Sequence, residues 1–307
     1  MELAVSVRGL RKDFGTVQAV KGVDLDVNSG EVLALLGPNG AGKTTIVEIL
    51  EGYQTASGGD VSVLGLDPRH DRRRMLERVG IVLQETAVEQ FLTVREVLRR
   101  RAAYYPHPRD ADTVIDLVGL SDKAGARVRT LSGGLQRRLD LGLALIGDPE
   151  LLFLDEPTTG FDPNARREAW EIVRHLIGEG RSVLLTTHYM DEAQVLADRV
   201  AVISKGVIVA TGTPDSIGGR DTGTATIRFV LPEQASDVSE LGLSSSHLTV
   251  SPVDGRRMVE VETGSPTSLL HSLTSWAMAH GIELEGLEVA RPSLEDVYLS
   301  LTAEDTE

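Results

Sequence analysis

Cysteine is missing altogether from the 307 residues. Its absence excludes disulfides and Cys-ligated zinc, and nothing points to an oxidising compartment. Long apolar runs are missing too: none approaches the roughly 18–20 residues that span a bilayer. The opening residues, MELAVSVRGL, lack the apolar stretch of a signal peptide. Together these absences predict a cytoplasmic address. Basic charge is also short, with 31 Lys and Arg against 46 Asp and Glu for a net charge of −15. The deficit is deepest at the end, where residues 219–307 hold 5 basic and 15 acidic side chains. Such a balance repels a nucleic-acid backbone, so no nucleic-acid partner is expected. Two local runs, RHDRRR (Arg69 to Arg74) and RRR (Arg99 to Arg101), read first as solvated helix faces and second as a partner contact.

The hydrophobic fraction of 41% and charged fraction of 25% suit a globular protein with one large core or two moderate ones. AVSVRGL and the alternating QAVKGVDLDV read as strands, closed by the turn Asn28-Ser29-Gly30. VLALL, Val32 to Leu36, is the continuous apolar run of a strand buried on both faces. From Asp71 to Gly147 the spacing is mostly helical, in ERVGIVLQE, TVREVLRRRAAYY and DTVIDLVGL. LLFLDE and SVLLTTH follow as buried strands around the helix RREAWEIVRHLIGEG, a strand-helix-strand unit that implies a parallel sheet. RVAVISKGVIVATG reads as a hairpin about Lys205-Gly206. A boundary near Gly218 to Gly223 separates residues 1–218 from 219–307. Strands TATIRFVL and RMVEVET, a helix PTSLLHSLTSWAMAHG, a strand near IELEGLEVA and a last helix opened by Pro292-Ser293 make the second part a small α+β domain.

The chemistry gathers in short stretches. In Gly37-Pro38-Asn39-Gly40-Ala41-Gly42-Lys43-Thr44-Thr45 the glycines let backbone N–H groups close around phosphate oxygens. Lys43 sets a cation on the β/γ-phosphates, and Thr44 offers a hydroxyl to Mg²⁺. A strand precedes the loop and a helix follows it, as such a loop requires. LLFLDE ends in two carboxylates: Asp155 is placed to hold Mg²⁺ through water, and Glu156 to orient or deprotonate an attacking water. An Asp-Glu-Pro that merely opens a surface loop is the plainer alternative, weakened by the phosphate loop beside it. His188 ends an apolar strand and, on residues alone, reads more often as a satisfied core or rim residue than as a functional one. LSGG, Leu131 to Gly134, places a Ser and two glycines at a helix N-terminus, a second place that suits an anion.

Taken together, these residues resemble the ATP-binding subunit of an ABC transporter from about Leu3 to Pro214, with LSGG as that family's signature. The resemblance implies an α/β fold: a P-loop ATPase domain with a mixed sheet core and a helical subdomain at about 85–147, plus the small C-terminal α+β domain. It implies that Phe14 stacks on adenine and that Gln84 touches the Mg²⁺ and its water and links to the membrane subunit. It also implies that Asp162 forms the aspartate loop and that His188 contacts the γ-phosphate. Two such domains then pack head to tail, so that Ser132, Gly133 and Gly134 grip the γ-phosphate of the partner's ATP. Two departures stand out. The signature ends in Leu135 rather than Gln, with Gln136 one place late and not assigned the usual role, and Phe161 replaces the common Leu.

The tail RPSLEDVYLSLT, Arg291 to Thr302, and LQRRLDLGLAL look like export ATPases of the daunorubicin-resistance type. The expected function is therefore ATP hydrolysis driving efflux of a drug, antibiotic or lipid-like molecule through a separate integral membrane permease, from the inner face of the cell membrane. The ATPase would work as a dimer with a second copy or a homologous chain. The coupling contact is expected between Gln84 and Ser132, with Phe91 and Arg99 to Arg101 as candidates. A soluble ABC-type ATPase acting on ribosomes or nucleic acid is the alternative. It is disfavoured by the acidic balance, the single ATPase domain and the lack of coiled-coil or zinc insertions. A non-hydrolysing nucleotide sensor is disfavoured by Glu156.

Overall fold

Strand β3 (Val32–Leu36) is buried at every position, which fixes it at the centre of a sheet. In the computed structural model of the chain, which describes residues 2–82, 88–159, 161–219, 225–231, 248–253, 256–290 and 293–303, β3 belongs to a six-stranded sheet. The other strands are β5 (Val79–Val82), β6 (Leu151–Asp155), β7 (Ser182–Thr187), β8 (Arg199–Ser204) and β9 (Val207–Gly212), in the order β5-β6-β7-β3-β8-β9. All pair in parallel except β8 and β9, the hairpin expected about Lys205-Gly206. Parallel pairing brings the carboxyl ends of β3, β6 and β7 to one edge: Leu36 is level with Thr187, and Asp155 with Thr186. In such sheets that edge is where ligands bind.

A second, antiparallel sheet joins the long strands β1 (Leu3–Phe14) and β2 (Val17–Asn28) to β4 (Gly58–Val63). Leu10, Val23, Leu33, Ile46, Leu50 and Phe153 share one core, so helix α1 (Lys43–Leu50) is packed among both sheets. The short α2 (Arg72–Leu76) precedes β5. Helices α3 (Val94–Ala102), α4 (Ala111–Leu117) and α5 (Gly133–Leu145) pack on one another. Helix α6 (Pro163–Gly178) links β6 to β7, and α7 (Met190–Leu196) links β7 to β8.

One expectation is corrected. ERVGIVLQE does not continue a helix, because Val79 to Val82 pair in parallel with Leu151 to Leu154 as an edge strand. Its β-branched residues suit the pleat. Gly80 allows the close approach, since a Cβ there would stand 2.4 Å from the Ala144 carbonyl oxygen and 2.6 Å from the Leu152 side chain.

The chain divides into two units, Met1–Pro214 and Asp215–Glu307. The second has its own four-stranded antiparallel sheet of β10 (Ala225–Val230), β11 (Leu248–Val253), β12 (Arg256–Thr263) and β13 (Glu288–Ala290), in the order β11-β12-β10-β13. Helix α8 (Pro266–His280) seats Leu273 and Ala277 against Ile227, Phe229 and Val261. A turn at Ile217–Gly219 packs on α9 (Leu294–Ala303), where Gly218 lies against Val297.

Candidate active site

The phosphate loop leaves β3 and enters α1. Gly40 and Gly42 take φ of 80° and 109°, conformations that a side chain would strain. A Cβ at Gly37 would stand 2.5 Å from the Ile203 carbonyl oxygen, and one at Gly42 would stand 2.8 Å from that of Ala19. Helix α1 opens on Gly42 with no side-chain cap, which leaves its first N–H groups to an outside acceptor. Lys43 is buried and its Nζ donates to the carbonyl oxygens of Gly37, at 2.7 Å, and Pro38, at 3.2 Å. Burial holds its pKa below the ordinary lysine value, opposed by the charges of Glu156 and Asp155. An ammonium in this position, held by two loop carbonyl oxygens beside the uncapped start of a helix, fits a polyphosphate. Thr44 is exposed at the second helical position.

Strand β6 delivers the carboxylates. Asp155 is buried and accepts a hydrogen bond from Thr186 Oγ1 on β7. Burial raises its pKa above the ordinary carboxylate value, and the neighbouring charge of Glu156 adds to the effect. Glu156 has φ of 46°, the left-handed region, which costs a non-glycine residue about 1–2 kcal/mol. Its N–H is held by the Thr186 carbonyl oxygen at 3.1 Å and by Thr186 Oγ1 at 3.2 Å. Its carboxylate accepts from Thr159 Oγ1 at 3.1 Å and lies 3.3 Å from His188 Nδ1. The structure thus brings Lys43, Asp155, Glu156 and His188 to one edge of the sheet. His188 is not a satisfied core residue: its side chain is 39% exposed, beside a Glu156 side chain that is 12% exposed.

The remaining expected residues lie on other elements. Phe14, at the tip of β1, is exposed with Lys12 Nζ 4.8 Å from its ring centre. Asp162 Oδ1 accepts the Ala165 N–H at 3.0 Å, capping α6. Ser132 is the N-cap of α5, and a Cβ on Gly133 or Gly134 would meet nothing within 4 Å. Gln136 on α5 donates to the carbonyl oxygens of Val128, at 3.4 Å, and Leu131, at 3.3 Å, in the turn just before its helix. Gln84 lies outside the described residues.

Three supporting residues escape a linear reading. Thr186 holds both Asp155, the last residue of β6, and Glu156, which follows it. Glu192 on α7 is fully buried, accepts from Thr158 Oγ1 at 2.8 Å and from Trp170 Nε1 at 3.1 Å, and is pushed up in pKa by burial. Arg137 on α5 is buried against the backbone that follows β6. The available signal was a charge at an otherwise apolar position, among Leu139, Leu141 and Leu145 for Arg137 and beside Ala193 and Leu196 for Glu192.

Residues 20–159 match the ABC transporter family, and residues 225–293 match the ABC transporter domain-containing protein-like C-terminal domain. The chain is 37% identical to the daunorubicin resistance ATP-binding protein DrrA3 of Streptomyces coeruleorubidus, over 99% of this chain and 97% of that protein. It is 38% identical to the Nod factor export ATP-binding protein I of Rhizobium sp. (strain N33), over 100% of this chain and 99% of that protein. Among solved structures, cbiO1 from Clostridium perfringens, part of the ABC transporter complex cbiONQ, matches with a TM-score of 0.65 and 27% identity. That match covers 70% of this chain and 90% of the other.

Proposed function

The chain belongs to the family of ABC transporter ATP-binding subunits, and on that premise we propose how its residues turn ATP hydrolysis into efflux. It is the ATP-binding and ATP-hydrolysing subunit of an exporter. The observation that carries the mechanism is the meeting of Lys43, Glu156 and His188 at the carboxyl ends of three neighbouring parallel strands.

The backbone amides of residues 37–45 and the Lys43 ammonium bind and orient the β/γ-phosphates. Phe14 offers its exposed ring to the adenine. Glu156 holds the attacking water and takes its proton, while His188, 3.3 Å away, orients that carboxylate and faces the γ-phosphate. Thr44 and Asp155 fit a Mg²⁺ site, together with Gln84. Among the described residues no three His, Asp or Glu side chains gather for a metal, so phosphate oxygens and water would complete the shell, as Mg²⁺ commonly requires. The ion would supply neutralisation of phosphate charge.

Residues 1–214 form the ATPase domain, with a helical subdomain at about 85–147, and residues 215–307, a few residues earlier than the boundary expected at 218, form an accessory domain. Two copies clasp two ATP molecules, with Ser132, Gly133 and Gly134 presenting the α5 N-terminus to the partner's γ-phosphate and Asp162 beside it. Among the described residues no helix is long and apolar enough to cross a membrane. As for an exporter's ATP-binding subunit, the path for the cargo belongs to a separate permease, against which this subunit sits on the cytoplasmic face. A cavity of about 660 Å³ lined by Tyr53, Arg72, Arg100, Arg101, Tyr104 and Tyr105 is the place for a cytoplasmic segment of that permease. Two of the three arginines expected at the coupling contact line it; Arg99 instead pairs with Asp112 at 3.4 Å. Phe91, also expected there, is 74% exposed with the Arg129 guanidinium 5.5 Å from its ring. The names of the relatives support a drug, antibiotic or lipid-like cargo.

The test uses Glu156→Gln with Mg-ATP on detergent-solubilised membranes of the source cells. Hydrolysis should fall by about 100-fold or more, with ATP binding kept. A polytopic membrane protein should co-purify in near-stoichiometric amount. Recovery of ribosomes or DNA-bound proteins instead would overturn the export reading, and near-normal turnover would overturn the role of Glu156.

A further inference from the structure

Helix α5 carries two features of interest in its first two turns. Its N-terminus is the signature, and one turn inside it Arg137 points away from solvent, 8% exposed. Arg137 Nε donates to the Pro157 carbonyl oxygen at 2.9 Å. Its Nη2 donates to the carbonyl oxygens of Asp155, at 3.2 Å, and Glu156, at 3.1 Å. One guanidinium therefore grips three successive carbonyl groups of the segment that carries the catalytic carboxylate. The charge is balanced by Asp140, 3.9 Å from Nη1, and by the fields of Asp155 and Glu192.

This grip bears on a backbone that needs holding. At φ of 46°, Glu156 occupies a conformation that a side-chain-bearing residue keeps only when its surroundings over-determine it. Thr186 fixes its N–H from one side, and Arg137 fixes its carbonyl from the other. Rotation about this residue would carry the carboxylate away from His188 and Thr159. A lysine could satisfy one or two of these carbonyls from a point charge, but it lacks the planar fork that reaches all three.

We propose that Arg137 is a positioning residue that fixes the backbone of Glu156 and so ties the signature helix to the hydrolytic site of its own chain. The second half rests on the reading that Ser132 to Gly134 engage the partner's nucleotide. On that reading, α5 is a rigid lever with one ATP at its tip and the carboxylate that acts on the other ATP at its first inward turn. Closure on one nucleotide then sets the geometry for cleaving the other.

The test compares full-length parent protein with Arg137→Gln, Arg137→Lys and Arg137→Met, measuring steady-state kcat, Mg-ATP Kd and thermal melting. The expected result for Arg137→Gln is a kcat lower by about 30-fold or more with Kd within about 3-fold, and partial recovery in Arg137→Lys. Met keeps the apolar stem and drops the buried charge, so it supplies a folded comparison should Gln fail to fold. A kcat within about 3-fold of the parent, or a loss of Kd matching the loss of kcat in every folded variant, overturns the clamp. Combining Ser132→Ala with Arg137→Lys tests the lever: losses in kcat smaller than the product of the single losses support it, and multiplicative losses overturn it. If Glu156→Gln forms no dimer with Mg-ATP, the engagement in trans falls, while the split between kcat and Kd still judges the clamp by itself.

Discussion

At the scale of single residues, two buried charges give opposite lessons. Lys43 is desolvated, donates to just two carbonyl oxygens and is depressed in pKa, so it sits at a cost that the proposed polyphosphate would offset. Lys43→Ala should therefore weaken Mg-ATP binding by about 10-fold or more without lowering the melting temperature of the ATP-free protein. A fluorescence titration and a melting curve check both halves. Glu51, at the end of α1, is 1% exposed, and neither of its carboxylate oxygens has a hydrogen-bond partner. Burial first, then the charges of Asp155 and Glu48, push its pKa from 4.5 to about 8, with Arg72 opposing. Between those values the folded state holds a proton that the unfolded state has released, so stability falls as pH rises from about 4.5 to about 8 and then levels. Glu51→Gln, which mimics the protonated acid, should remove that slope, worth on the order of 4 kcal/mol across the window. Melting temperatures at pH 5 and pH 8 decide it: the variant should gain on the parent only at the higher pH. The phosphate loop was legible because its chemistry is written in consecutive residues. Arg137, Thr186 and Glu192 were not, because each acts through partners far away in the sequence that only the fold brings close.

Among the elements, legibility followed burial pattern. The strands at Val32, Leu151 and Ser182 read true because both faces of each are covered, and a continuous apolar run has few other uses. The same rule misled at ERVGIVLQE, where a short apolar run next to helical segments fits either period, and only pairing with β6 decides. β4 and β11 were missed for the converse reason: one is Gly-rich and the other carries a proline, and each is an edge strand held by a single neighbour. Gly80 turns the corrected element into an experiment with a definite sign. In a helix, Gly→Ala would stabilise by about 1 kcal/mol. In β5 the new methyl group would sit 2.4 Å from the Ala144 carbonyl oxygen, a backbone atom on helix α5 that cannot swing aside. Gly80→Ala should thus destabilise by about 1–3 kcal/mol in chemical denaturation, with the denaturant slope unchanged.

For the molecule as a whole, charge sets the terms of assembly. Each chain carries −15, and residues 219–307 supply most of it with 15 acidic side chains against 5 basic. In the proposed dimer two such chains approach, and ATP adds further negative charge to the interface. Short-range attraction of phosphate for the Ser132 to Gly134 helix terminus must then overcome a long-range repulsion. Salt screens the long-range part, with a Debye length near 10 Å at about 0.1 M, far more than it weakens contacts from which water is excluded. Dimerisation of Glu156→Gln at saturating Mg-ATP should accordingly tighten several-fold as NaCl rises from about 20 to about 200 mM. Removing residues 219–307 should flatten that dependence, because the remaining 26 basic and 31 acidic groups are nearly balanced. Light scattering over a concentration series measures both. A dimer that loosens with salt in the full chain would mean that pairs of opposite charge across the interface, rather than net repulsion, govern the encounter, and loss of that loosening on removing residues 219–307 would place the acidic C-terminal unit among those pairs.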